Sequence, residues 1–325
     1  MEYRRLGNSG LQVSALSFGS WVTFGSQIDY QNSENLMKLA YENGVNFFDN
    51  AEVYASGKSE EVMGKILNKM GWNRSSYVVS SKVFWGGDGP NLKGLMRKHV
   101  VEACHAALKR LQVDYLDLFF CHRPDANTPI AETVWTMHNL IQQGKILYWG
   151  TSEWTAQQIT EAHLVAEKYN LIGPTMEQPQ YNLLHREKME NEFLPLFKNF
   201  GLGTTIWSPL ASGVLTGKYL NGIPKGSRME IESLSWIKER VWTEENKNKV
   251  QQLKNLADNL GVSLTNLSIA WCLKNENVST VILGATKESQ LKENLKSLEV
   301  QAVLTPEILE KIETIVNNKP ILTRF

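Results

Sequence analysis

A net charge is the first thing this chain does not have. Its 325 residues carry 34 lysines and arginines against 34 aspartates and glutamates, a formal balance of zero. A nucleic-acid surface needs a basic excess to displace counterions from phosphate, so that class of partner is set aside. Cysteine is scarce. Cys104, Cys121 and Cys272 form no C-x-x-C pair, which excludes a disulfide framework and fits small apolar side chains in a reducing compartment. No run approaches the ~18 uninterrupted apolar residues of a membrane-spanning helix, so membrane insertion is excluded. Arg4-Arg5 is followed by Gly7-Asn8-Ser9-Gly10 and not by an apolar stretch, so no export signal is read and a cytoplasmic location is expected. The six histidines do not cluster, and no metal site is expected. No low-complexity tract or linker divides the chain, so one domain over 1–325 is expected.

What is present is a repeated unit: a short apolar run, a polar residue at its end, a loop, then a helical period. The runs cover 15–18, 45–48, 77–80, 115–120, 146–149, 174–177, 203–206 and 280–283. Most are rich in β-branched and aromatic residues and too short for helices, and their near-continuous apolar character predicts parallel strands buried on both faces. Between them, Val101, Cys104, Leu108 and Leu111 fall at i, i+3, i+7 and i+10. So do Ile159, Ala162, Ala166 and Tyr169, and Val250, Leu253, Ala257 and Leu260, each set marking one helical face. Thr155 with Gln158 has the pattern of a capping box, and Gly44, Gly144, Gly201 and Gly261 stand where helices stop. Eight alternations predict an α/β fold, a closed (β/α)8 TIM barrel, whose usual size is ~250 residues. The surplus is assigned to an N-terminal β-hairpin (1–14), a long loop after the seventh strand (207–242) and extra helices near 243–260 and 305–318. An open doubly wound sheet would carry a glycine-rich fingerprint after its first strand. Here that turn reads Gly19-Ser20-Trp21-Val22-Thr23-Phe24-Gly25, which is not G-x-G-x-x-G.

In such a barrel chemistry gathers where strands end. The residues there are Ser20, Asp49, Lys82, His122, Ser152, Gln178, Trp207-Ser208 and Gly284. Any one alone is an ordinary polar residue with a partner. Asp49, Lys82 and His122 after three successive strands are harder to assign to packing, because burying an Asp–Lys pair costs several kcal/mol of desolvation. Tyr54 lies five residues beyond Asp49 in the next loop. An ammonium ~4 Å from a phenol at an effective dielectric of ~20 favours the phenolate by up to about 4 kcal/mol, which predicts a Tyr54 pKa moved from ~10 toward neutrality. Asp49 would hold Lys82 charged, and His122 would aim a substrate oxygen at the hydroxyl. The group reads as a proton donor to a developing alkoxide, with a nicotinamide hydride as the economical other half of a reduction. A Schiff-base use of Lys82 is the competing chemistry. Trp21, Trp85 and Phe84 predict an aromatic-walled pocket, completed by Tyr54 and His122, for aldehydes or ketones with apolar bodies.

These residues match a known pattern. Gly44-Val45-Asn46-Phe47-Phe48-Asp49-Asn50-Ala51 through Tyr54 to Glu60 and Gly64 resembles the aldo-keto reductase signature. Tyr3-Arg4-Arg5-Leu6-Gly7-Asn8-Ser9-Gly10-Leu11 resembles that family's front hairpin. Trp149-Gly150-Thr151-Ser152, Trp207-Ser208-Pro209-Leu210-Ala211-Ser212-Gly213 and Leu283-Gly284-Ala285-Thr286 to Glu293-Asn294 complete the set. Within the family the chain is most similar to the voltage-gated potassium channel β-subunit branch, through 19–25, Phe84-Trp85-Gly86-Gly87, 123–129 and 269–273. The resemblance implies Tyr54 as general acid with Lys82 and Asp49, His122 orienting the carbonyl, and NADP(H) as cofactor. It implies a nicotinamide stacked on Trp207, held by Ser152 and Gln178 and flanked by Ser20, Trp21, Gln27 and Asp49. It places the diphosphate near Ser208, Pro209, Leu210, Ser212, Gly213 and Lys218. It places the adenosine near Gly284, Thr286, Gln290, Glu293 and Asn294, with Ser227 and Arg228 reaching over and Lys287 beside them. Arg228 is the 2′-phosphate candidate, since a guanidinium can bind it bidentately. Glu153 stands where the channel branch commonly has arginine, and is expected to point away from a diphosphate. The channel branch usually has asparagine at His122 and an N-terminal extension. Both differences favour a working NADPH-dependent carbonyl reductase over the alternative, an NADP-binding, slowly turning channel-associated subunit. A homo-oligomer, a tetramer, is implied by resemblance, and a membrane channel partner is the less favoured reading.

Overall fold

Alternation with period two inside each buried run decides which side chains meet at the barrel axis. The computed structural model describes residues 1–232 and 235–322. Strands β1 (Tyr3–Arg5) and β2 (Gln12–Ser14) form an antiparallel hairpin. The next eight are β3 (Leu16–Gly19), β4 (Phe47–Asp49), β5 (Val78–Val83), β6 (Leu116–Cys121), β7 (Ile146–Ser152), β8 (Met176–Gln178), β9 (Gly203–Ile206) and β10 (Thr280–Leu283). They close into a barrel in the order β10-β3-β4-β5-β6-β7-β8-β9, and every pair is parallel. This is the (β/α)8 TIM barrel that the strand–helix alternation predicts. The sixth expected run starts two residues late, at Met176: Pro174 has no N–H to give a ladder, and the Thr175 N–H donates to the Trp149 carbonyl at 2.8 Å just before the strand begins.

Inward positions are apolar low in the barrel and polar at its top. Phe47, Val78, Leu118, Phe120 and Met176 pack with Leu6 and Val13 of the hairpin, which plugs the lower end. Two residues further along the same strands stand Asp49, Ser80 and then Lys82, His122 and Gln178. Outward residues such as Phe18, Phe48, Val79, Phe119, Trp149, Ile206 and Val281 join the larger core under the helices. The hairpin sits tightly: at Gly7 a Cβ would lie 2.2 Å from the Gly201 carbonyl oxygen. Arg4 donates to the carbonyls of Val278 and Leu273 at 2.9 and 3.0 Å, so half of the Arg4-Arg5 pair is a strut.

The helices end as the sequence predicts. Gly44, Gly144, Gly201 and Gly261 all adopt positive φ. Thr155 and Gln158 form the capping box at the start of the helix Ala156–Tyr169. The extra helices run Glu244–Asn259 and Pro306–Val316, capped by Thr243 and Thr305.

Candidate active site

At the upper rim β4 and β5 bring Asp49 and Lys82 together. Lys82 Nζ donates to Asp49 Oδ2 at 2.7 Å, to the Asn50 carbonyl at 2.7 Å and to Tyr54 Oη at 3.2 Å. The lysine is wholly buried. Asp49 Oδ1 accepts from Ser80 Oγ at 2.8 Å and from Gln178 Nε2 at 3.2 Å, and the Asp49 carbonyl accepts from Ser20 Oγ at 3.0 Å. An ion pair stripped of water is kept by such bonds, because each charge lacks hydration unless both partners and the surrounding donors stay in place. The Tyr54 loop is held in an unusual path, with Ala55 and Ser56 at φ 49° and 53°. That turn carries the phenol back over Lys82, whose Nζ lies 4.8 Å from the ring centroid.

The electrostatics correct one expectation. Burial first, and then the Asp49 charge, raise the Tyr54 pKa well above the phenol value; they do not bring it toward neutrality. Only the Arg123 charge acts in the lowering direction, and it is outweighed. Burial also lowers the Lys82 pKa, against the raising effect of Asp49. His122 is held well below the usual imidazole value by burial, then by the Lys82 and Arg123 charges, so it is neutral at physiological pH. Its Nδ1 is buried without a hydrogen-bond partner. Tyr54 and Trp85 meet the His122 ring edge to face at 5.9 and 5.0 Å, and Phe84 packs on Trp85 at 4.8 Å. Tyr54, His122, Trp85 and Phe84 therefore form one cluster. Trp21 lies half-buried on the turn after β3 and Gln27 is exposed further along it.

Around the rest of the rim, Ser152 Oγ donates to the Gln178 carbonyl at 2.9 Å, and Gln178 Nε2 also reaches Thr205 Oγ1 at 3.2 Å. Trp207 follows β9, and its indole Nε1 donates to Glu153 Oε1 at 3.0 Å. The same oxygen accepts from the Gln180 N–H at 2.7 Å, and Glu153 Oε2 pairs with Lys188 at 3.1 Å. Glu153 therefore points into protein, where it fixes the indole. Beyond Trp207 the chain turns through positive φ at Ser208, Ala211, Ser212 and Gly213. A Cβ on Gly213 would sit 2.9 Å from Lys218 Cε and Nζ, so glycine lets that side chain cross the turn. Pro209 is buried and Leu210 half-buried in the same turn. Further on, Gln290 Oε1 accepts from Thr286 N and Oγ1 at 2.8 and 3.1 Å. Glu293 Oε1 is committed to Ser263 and Asn266 at 2.7 and 2.9 Å, and Asn294 is buried. The side chain of Arg228 lies outside the described residues; Arg228 itself opens a short 3-10 turn, Arg228–Glu230.

A model of the aldo/keto reductase family matches residues 15–317. The chain belongs to the aldo/keto reductase family. It is 55% identical over 321 residues to a protein of Arabidopsis thaliana named probable voltage-gated potassium channel subunit beta, covering 98% of each chain. A protein of Oryza sativa subsp. japonica with the same name is 56% identical over 321 residues, again 98% of each. Aldo/keto reductases typically use NAD(P)H, and the rim has features that fit such a group. Gly284 has nothing within 4 Å of the position a Cβ would take, so its face is open. Ser227 Oγ is buried without a partner, and Gly213 leaves a cradle under Lys218.

One rim residue has no role in the sequence reading. Arg123 Nη1 donates to the His122 carbonyl at 2.5 Å and to Ser152 Oγ at 3.4 Å, and its guanidinium lies 5.4 Å from the centroid of a Trp85 ring. The available signal was its position directly after His122. In the sequence it stands inside the family-like stretch 123–129, where nothing marks it as a cation at the mouth of the site.

Proposed function

We propose that this protein reduces aldehydes and ketones to alcohols with NADPH, Tyr54 giving the proton. The observation that supports the reading best is the chain Tyr54 Oη–Lys82 Nζ–Asp49 Oδ2, at 3.2 and 2.7 Å, on the strand ends of a barrel. A raised phenol pKa keeps the proton on Tyr54 until negative charge grows on a substrate oxygen. The buried ammonium then stabilises the phenolate left behind, and Asp49 keeps Lys82 in place through the cycle. Neutral His122 adds a hydrogen-bonding ring beside the phenol without competing for the proton. When bound, the nicotinamide would supply the hydride. Ser152 and Gln178 would hold its carboxamide, Trp207 its face, and Ser20, Trp21, Gln27 and Asp49 its surroundings. Ser208, Pro209, Leu210, Ser212, Gly213 and Lys218 would hold the diphosphate. Ser227, Arg228, Gly284, Thr286, Gln290, Glu293 and Asn294 would hold the adenosine, and Arg228 with Lys287 would select NADPH over NADH. We take the chain as one domain acting in the cytoplasm; among the described residues no helix is long and apolar enough to cross a membrane.

The test is Tyr54→Phe, which keeps the ring and removes the proton. Aldehyde-dependent NADPH oxidation falls by about 10²–10⁴-fold in kcat/KM while NADPH affinity persists. Unchanged turnover in this variant refutes the reading.

A second reading has one observation of its own. Two relatives at 55% and 56% identity are named as probable channel subunits, which supports an oligomeric accessory of a membrane channel that holds NADP(H) and turns over slowly. Brisk aldehyde turnover, with no channel protein co-purifying from detergent-solubilised membranes, removes it.

A further inference from the structure

We propose that Arg123 is a specificity-determining residue that selects carbonyl substrates carrying a carboxylate on an apolar body. The inference takes its reaction from the reductase reading, but its ligand class comes from the charge pattern of the rim.

Four carboxylates placed near the rim, those of Asp49, Glu52, Asp125 and Glu153, already have partners. Asp49 is bound to Lys82, Ser80 and Gln178. Glu52 accepts from the Phe84 N–H at 2.7 Å and faces His99 Nε2 at 3.5 Å. Asp125, two residues from Arg123, is turned to the N–H groups of Leu95 and Asn127 and to Thr128 Oγ1. Glu153 is taken by Gln180, Trp207 and Lys188. The cations Lys82 and Lys188 are thereby neutralised. Arg123 is not: among the described residues it forms no ion pair, and only its Nη1 makes hydrogen bonds, to the His122 carbonyl and Ser152 Oγ.

This cation is half-buried and anchored, not a loose surface charge. The His122 carbonyl holds one edge of its guanidinium and the Trp85 ring lies against it. Burial sets the direction of the pKa shifts of Tyr54, Lys82 and His122, and the Arg123 charge then lowers all three, so its field reaches the reacting groups. A guanidinium with free donors above an aromatic wall matches a carboxylate bidentately, while Trp85 and Phe84 take the apolar part of the same molecule.

The test compares 4-carboxybenzaldehyde with its neutral methyl ester, methyl 4-formylbenzoate. Wild-type protein with NADPH favours the acid in kcat/KM, and added salt shrinks that preference. In Arg123→Leu the acid-to-ester ratio falls about 10- to 100-fold, the range of a lost charged hydrogen bond, and Arg123→Lys recovers part of it. Arg123→Gln, which keeps a donor for the His122 carbonyl, controls for a folding defect and lowers the ratio in the same way. A ratio unmoved by Leu and Gln overturns the proposal. So does a loss of NADP+ affinity with the ratio intact, since Arg123 would then serve the nucleotide. If wild-type protein turns over neither aldehyde, the reductase reading falls. Calorimetry with NADP+ and 4-(hydroxymethyl)benzoate or its methyl ester then decides alone. Binding of the acid that disappears in Arg123→Leu sustains the proposal, and equal binding of acid and ester overturns it.

Discussion

Tyr54 shows how a residue's surroundings outweigh its nearest neighbour. The type and spacing of Asp49, Tyr54, Lys82 and His122 were legible in the sequence, because all follow apolar strands that have no use for them. The sign of the Tyr54 shift was not, since it depends on how much water is removed and on how close the Asp49 charge lies. Arg123 was missed for the same reason: partner inventories need coordinates. The same physics acts at Glu177, which alternates outward between β8 neighbours that face the axis. Burial pushes its carboxyl up to about 8 from 4.5, more than Thr151 Oγ1, which donates to Oε2, can offset. Its Oε1 has no partner. A folded-state pKa above the unfolded one means that the folded protein binds more protons between pH 4.5 and about 8, so stability falls as pH rises through that window. At 1.36 kcal/mol per unit the full loss is on the order of 5 kcal/mol. Glu177→Gln keeps an acceptor for Thr151 and cannot ionise. Urea melts would place the variant near wild type at pH 5 and clearly above it at pH 8. Parallel pH dependences of the two proteins would contradict the assignment.

At the scale of elements, the signature residues beyond Tyr54 are packing devices. Glu60 lies on the helix Lys58–Met70 and is fully buried. Its Oε1 accepts from Ser81 Oγ and its Oε2 from Arg110 Nε, both at 2.6 Å, so one carboxylate ties the helix to β5 and to the helix Arg97–Leu111. One turn on, a Cβ at Gly64 would lie 2.3 Å from the Arg110 carbonyl oxygen and 2.8 Å from Leu111 Cα. Backbone cannot yield as a side chain tip can. Gly64→Ala gains up to ~1 kcal/mol of helix propensity but must separate the two helices, at about 1–3 kcal/mol or more for overpacking. The expected result is a lower thermal midpoint; a rise would show that the helices part without strain. The period of the helix 97–111 was readable from Val101, Cys104, Leu108 and Leu111, but its left-handed stop at Gln112 (φ 56°) was not. Gln112 gives no glycine signal, as Asn170 and Asn317 give none at their helix ends. The sequence marks a stop when it needs glycine and hides it when packing holds another residue in the same conformation.

Across the whole molecule, stability and chemistry occupy opposite ends of one barrel. The upper ends of β4, β5, β6 and β8 hold buried polar groups that cost desolvation, while the lower ends hold Phe47, Val78, Leu118 and Met176 under the hairpin plug, with Phe120 between the two, paired to Lys82. This division lets the rim keep an ion pair and a partnerless His122 nitrogen without collapsing, because the plug closes the other end with apolar contacts. Leu6 is fully buried in that plug. Leu6→Ala removes its side chain from a site that the Gly7–Gly201 approach prevents from closing up, so a cost of about 2–5 kcal/mol is expected. Denaturant melts would show that loss, while kcat/KM measured well below the melting point stays at the wild-type value, the reverse of Tyr54→Phe. If Leu6→Ala instead lost activity with its melting curve unmoved, the two ends of the barrel would be coupled, and the separation of plug from rim would be wrong.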